Sequence, residues 1–308
     1  MATRAANAST KVQCQSVASR DTRRQGVRVV CMSMNRLQAA DTSYHARRRM
    51  SDALLAFSHV TVIRDGATIL DDFSLQIPAG QHVAIVGPNG SGKSTVLKLV
   101  SRDLWPVARP ETSVTVLGQQ RWTQWDLRAA IGIVSNDLLA TCTRKVTGRE
   151  LLLSAFFGSI GLWPHHAPTP PMYARVDEVL AWLGLPHLAD RLMTRMSSGE
   201  ARRLLIGRAL VHTPRALILD EPMTSLDLGA AHEVRATMRA LAQQGTSLLL
   251  VTHDLADIVP EIGRVVLLKQ GRVAGDGPTA SLLTTETLTS LYDRQVAVTQ
   301  RDGHYHAW

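Results

Sequence analysis

The sequence is poor in cysteine, with only Cys14, Cys31 and Cys142, and none of them stands in a Cys-x-x-Cys pair. That argues against a disulfide framework or a thiolate zinc site and fits a reducing compartment. Long apolar runs are also missing. No stretch approaches the ~18 residues needed to span a bilayer, so the chain is not expected to be a channel. It also lacks the apolar core of a secretory signal peptide. Acidic residues are scarce in one place: residues 1–50 carry ten Lys or Arg and only two acids, Asp21 and Asp41. The net charge of +8 resides there, because residues 51–308 hold 24 basic and 24 acidic residues. The basic balance therefore describes a tail, and no nucleic-acid binding is expected of the body.

Residues 1–50 read as a disordered basic tail. A transit peptide, a start site placed too early (Met32, Met34 and Met50 lie downstream) and a basic arm all fit its composition. Arg47-Arg48-Arg49 reads as a solvated charge run. No internal repeat is present. The remaining length and a hydrophobic content of 45% support a real core.

From about residue 54 the texture is that of an α/β fold with a helical insertion. Strands are expected over 54–63 and 69–77, the second closed by Pro78-Ala79-Gly80. Short apolar runs at 83–86, 114–117, 216–219, 248–251 and 265–268 read as further strands. Residues 137–196 read as mainly helical, interrupted by a proline-rich loop from Trp163 to Pro171. His165-His166, in that loop without a nearby carboxylate, are expected to face solvent. Trp122, Trp125 and Trp163 are expected to pack, with a contribution of some of them to a partner groove as the alternative, and His304-Tyr305-His306 to form a terminal strand with Tyr305 against the domain.

The most informative stretch is Gly87-Pro88-Asn89-Gly90-Ser91-Gly92-Lys93-Ser94-Thr95. It lies between an apolar strand and an apolar helix and matches the phosphate-binding spacing Gly-x4-Gly-Lys-Ser/Thr. Glycines let backbone N–H groups converge on phosphate oxygens, and the following helix points its positive end at the same anion. Lys93 is placed to reach the β- and γ-phosphates, and the Ser94 hydroxyl to bind Mg²⁺. Farther on, Leu217-Ile218-Leu219-Asp220-Glu221 is an apolar strand ending in two carboxylates. Asp220 is placed to hold Mg²⁺ and Glu221 to act as general base toward water.

Two more segments follow the same logic. Met196-Ser197-Ser198-Gly199-Glu200 opens a helix, and Ser225-Leu226-Asp227 and His253 follow strands. With these in order, residues 54–285 resemble the nucleotide-binding subunits of ATP-binding cassette transporters. The resemblance implies the P-loop cassette fold, with an antiparallel β subdomain and a helical subdomain at about 137–200. It implies a domain over 51–290 and a C-terminal extension over 291–308. It also implies ATP and Mg²⁺ as cofactors and a head-to-tail homodimer closing on two ATP molecules. Ser197, Gly199 and Glu200 would contact the partner's ATP, Asp227 would form the communicating loop, and His253 would meet the γ-phosphate. A separate transmembrane permease would be the partner, and the cytoplasmic, inner face of the membrane the location.

Several positions depart from the family pattern. Asn136 stands where Gln usually reaches the metal; being one methylene shorter, it suits contact through water. Arg64 stands where an aromatic usually stacks on adenine, and a guanidinium can stack there instead. Ser198 replaces a glycine, and Glu200 replaces Gln. Residues 153–162 and the Val134-Ser135 strand end resemble, more loosely, a branch linked to molybdate or iron-complex transport. The expected function is therefore ATP hydrolysis powering solute transport, with metal-related import as the particular reading. A soluble single-cassette regulatory ATPase is the alternative.

Overall fold

A computed structural model describes residues 53–142 and 145–308. The expectation of a disordered tail over 1–50 lies outside them. The first layer is an antiparallel sheet of β1 (Ala53–Arg64), β2 (Ala67–Pro78) and β4 (Ser113–Val116), ordered β2-β1-β4. Alternation in β1 and β2 turns Phe57, Val60, Phe73 and Leu75 inward, and Phe57 meets Phe73 edge-on at 5.4 Å.

The second sheet has six strands: β5 (Ile131–Val134), β6 (Ala216–Asp220), β7 (Ser247–Thr252), β3 (Val83–Val86), β8 (Arg264–Lys269) and β9 (Arg272–Pro278), in that spatial order. All neighbours are parallel except β8 and β9. The uninterrupted apolar runs of β3, β6 and β7 are explained by burial on both faces. One core lies between this sheet and the antiparallel one and includes α1 (Lys93–Val100). A second lies under the helices α4 (Gly148–Ala155), α5 (Pro170–Trp182), α6 (Ser198–Leu210) and α7 (Leu228–Gln243).

The register matters for function. Val86 pairs with Thr252, Asp220 with Val251, and Val134 with Leu219. The carboxyl ends of β3, β5, β6 and β7 therefore lie side by side, which is where open α/β sheets place ligands.

Three local readings need correction. The expected proline loop ends earlier than Pro171, because Pro170 and Pro171 fill the first turn of α5, where proline's missing N–H costs nothing. Trp125 and Trp163 do not pack inward: they are 55% and 56% exposed. Of these three, Trp122 alone is partly buried, with Nε1 donating to the Val116 carbonyl at 3.0 Å. His165 is exposed, as expected, but His166 stacks on Phe157 at 4.3 Å and accepts at Nδ1 from the Trp163 amide. Strand β9 was not expected, since its glycines Gly275 and Gly277 hide the strand pattern. The chain closes with α9 (Thr285–Tyr292) and a hairpin of β10 (Val298–Arg301) and β11 (His304–Ala307), with Tyr305 buried as expected.

Candidate functional site

The loop after β3 is tied to Gly271, whose N donates to the Ser91 carbonyl at 3.0 Å, and Gly271 is itself held by Asp71 N, which donates to its carbonyl at 3.1 Å. Gly87 lies so close to the Leu268 carbonyl that a Cβ there would sit 2.1 Å from its oxygen. Gly92 has φ 104°, a conformation L side chains rarely adopt, and it caps α1 without any side-chain cap. The first turn of α1 contains no acid, so its positive end is uncompensated. The Ser91 hydroxyl is buried without a hydrogen-bond partner. Lys93 is 6% exposed and folds back, donating to the carbonyls of Gly87 at 2.7 Å and Pro88 at 3.0 Å. Burial lowers the pKa of Lys93, while Glu221 and Asp220 oppose that shift. An orphan hydroxyl, an open helix end and a tethered ammonium are a set of donors that a polyphosphate satisfies.

Asp220 and Glu221 follow directly at the end of β6. Burial, and then the neighbouring Glu221 charge, push the Asp220 carboxyl up to about 6. Lys93 and Arg202 pull the other way. Glu221 has φ 47°, unusual for a residue with a side chain, and its amide donates to the Val251 carbonyl at 2.8 Å. Its Oε1 lies 2.9 Å from His253 Nδ1, at the end of β7. Below His253, Thr252 Oγ1 donates to Asp257 Oδ2 at 2.6 Å. The Tyr292 hydroxyl on α9 donates to the His253 carbonyl at 3.4 Å. The loop carrying His253 is thus fixed from two sides. Ser94 is exposed on α1, and with Asp220 it offers the hard oxygen donors that suit Mg²⁺.

The segment from Met196 begins α6 with a capping box. Ser197 Oγ accepts from Glu200 N at 3.2 Å, and Glu200 Oε2 accepts from Ser197 N at 2.8 Å. The Ser197 backbone donor holds the Glu200 carboxyl below its usual range. Gly199 is buried against Ala230, where a Cβ would lie 2.5 Å from the Ala230 methyl. Asp227 is the N-cap of α7, accepting from Ala230 N at 2.8 Å. Arg64 ends β1, exposed, with Nε 3.6 Å from Asp65. Asn136 opens α3 (Asn136–Cys142), and its Oδ1 accepts from Arg202 Nη2 at 2.6 Å.

The strand ends thus bring Lys93, Asp220, Glu221 and His253 to one edge, while Ser197, Gly199, Glu200 and Asp227 stand at the starts of α6 and α7. Sequence reasoning missed Arg202, Asp257 and the capping box. The signal for the box was present, since Ser-x-x-Glu before an apolar run is its spacing.

The family model described as ABC transporter matches residues 70–224. A hemin import ATP-binding protein, HmuV, of Rhodococcus jostii is 31% identical over 242 residues, covering 78% of this chain and 80% of that protein. A cobalt import ATP-binding protein, CbiO, of Rhodobacter capsulatus is 33% identical, covering 76% and 82%. Among solved structures, cbiO1 of Clostridium perfringens, part of the cbiONQ transporter complex, matches with TM-score 0.65 and 26% identity, covering 78% of this chain and 94% of that one. The chain belongs to the ABC transporter ATP-binding family. It is an ATP-binding P-loop α/β cassette and an ATPase coupled to transport. Among the described residues no helix is long and apolar enough to cross a membrane.

Proposed function

We propose that this chain is the ATP-hydrolysing subunit of an importer for a metal-containing solute, acting on the inner face of a membrane with a separate permease. The metal-related reading draws on the hemin and cobalt import relatives. Residues 87–95 cradle the phosphates, Lys93 compensates their charge, and Ser94 and Asp220 hold Mg²⁺. Bound there, Mg²⁺ would supply charge neutralisation to the phosphates. Asn136 serves the metal through water, and Arg64 faces the adenine ring. Glu221 takes the proton of the attacking water, and His253 orients Glu221 and meets the γ-phosphate. Two chains pair head to tail, so that Ser197, Gly199 and Glu200 of one close on the ATP of the other, and Asp227 links the two sites.

The observation that carries the hydrolytic reading is the 2.9 Å approach of Glu221 to His253 beside the phosphate loop. A general base must reach the proton it abstracts, and a hydrogen-bonded neighbour can hold it in that orientation. Purification of the Glu221→Gln chain with ATP from detergent-solubilised membranes tests the whole. A stoichiometric multi-span membrane protein is the expected companion. An ATP-bound dimer with only soluble companions would replace the transporter reading with a soluble ATPase.

A further inference from the structure

Arg202 is the largest of the fully buried side chains, 1% exposed, and it lies on the inward face of α6. A buried guanidinium is costly unless its donors are matched. Here one donor is matched by a neutral amide: Nη2 donates to Asn136 Oδ1 at 2.6 Å. Nε and Nη1 are buried with no hydrogen-bond partner. Burial lowers the pKa of Arg202, and the charge that offsets the loss is Asp220. Asp220 in turn feels Glu221, Asp137, Lys93 and Arg202. Val134 pairs with Leu219, so Asn136 and the Arg202 cation bonded to it stand at the strand end that carries Asp220, and among the described residues the neutral Asn136 is the one side-chain acceptor of Arg202.

Arginine only donates, which fixes the Asn136 amide: its oxygen faces Arg202, and its remaining polar group is an NH₂. An NH₂ cannot ligate a cation, but it can donate to water or to a phosphate oxygen. A metal on the same oxygen, at about 2.1 Å, would set two cations against one acceptor. We propose that Arg202 is a positioning residue that withholds the Asn136 carbonyl from Mg²⁺ and, through its charge beside Asp220, weakens the hold of the site on the metal. This rests on the ATP and Mg²⁺ reading above. The arrangement also joins two functions on one helix. The first turn of α6 holds Ser197 and Gly199, and the next turn holds Arg202 against the metal end of its own chain.

The test is Mn²⁺ binding to the full-length chain in the presence of a non-hydrolysable ATP analogue, followed by electron paramagnetic resonance. Arg202→Met, apolar and of similar length, is expected to bind Mn²⁺ about fivefold more tightly than the parent, since a nearby like charge is gone. Arg202→Lys keeps the charge and should stay within twofold of the parent. Should the Met variant fail to fold, Arg202→Gln, which keeps a donor for Asn136 and loses the charge, carries the same expectation. Unchanged or weaker Mn²⁺ binding in the charge-free variant overturns the proposal. So does Mn²⁺ binding in Arg202→Lys as tight as in the charge-free variant. Failure of the parent itself to form the Mn²⁺–nucleotide complex would instead overturn the reading of the site.

Discussion

The two helices that bear the site begin in opposite ways. Helix α1 starts at Gly92 with no side-chain cap, no acid in its first turn and a buried serine hydroxyl left unpaired beside it. Helix α6 starts with a closed capping box, in which Glu200 and Ser197 satisfy each other's backbone donors. An uncapped helix end attracts an anion, and a capped one carries its own. The difference teaches that α1 leaves its donors open to an anion, whereas α6 satisfies its own; in the proposed head-to-tail pairing, α6 would be brought to the partner's nucleotide. Arg191, 3.5 Å from Glu200, adds a cation to the α6 end.

The largest effect should come at the open end. Removing the ammonium in Lys93→Ala should weaken ATP binding about 100-fold, the scale of charge-assisted hydrogen bonds lost together. Equilibrium binding of a fluorescent ATP analogue measures it, and parent-like affinity would break the contrast between the two helices.

Acid sharpens the contrast. Asp220 has its pKa raised to about 6, so it takes a proton as pH falls through that value, while Glu200, held low by the Ser197 amide, stays ionised. Metal binding to the nucleotide complex should therefore weaken about tenfold between pH 7 and 5. The linkage to stability runs oppositely for the two groups. The raised Asp220 favours the folded chain at low pH, and that contribution is lost as pH rises through about 6. The lowered Glu200 favours it above the ordinary carboxylate range, and that contribution is lost as pH falls through its depressed value. Asp220→Asn should abolish the first dependence in urea denaturation followed across pH and leave the second.

A third, smaller effect belongs to the closed end. Ser197→Ala removes the α6 cap and should cost about 1 kcal/mol of stability, read by urea denaturation, with nucleotide affinity of the isolated chain unchanged. At the base of the His253 loop, Asp257 is buried with its pKa raised to about 6 and accepts from Thr252. Asp257→Asn should flatten the loss of stability between pH 5 and 7.5 that ionisation of this buried acid imposes.

The phosphate loop, the acidic strand end and His253 were legible because each is local: a strand, a turn and a functional residue adjacent in sequence. The parallel strands were legible through their unbroken apolar runs, and β9 was not, since Gly275 and Gly277 interrupt its pattern. Trp125 and Trp163 read as core by residue type, but they lie on the outside of α2 (Gln124–Ala130) and of a proline loop, where nothing in the local pattern marks their direction. Arg202 was out of reach for a different reason. Its partner Asn136 is 66 residues away, and only the fold brings the two to hydrogen-bond distance.

The most direct measurement of the contrast between α1 and α6 is light scattering of the Glu221→Gln chain with ATP, with and without a second change, Ser197→Arg. The account predicts a dimer, of twice the chain mass, for the single variant. It predicts a monomer that still binds ATP with unchanged affinity for the double one, because α1 binds alone and α6 acts only across chains. A dimer that persists with Ser197→Arg, or ATP affinity that collapses with it, would contradict that division of labour.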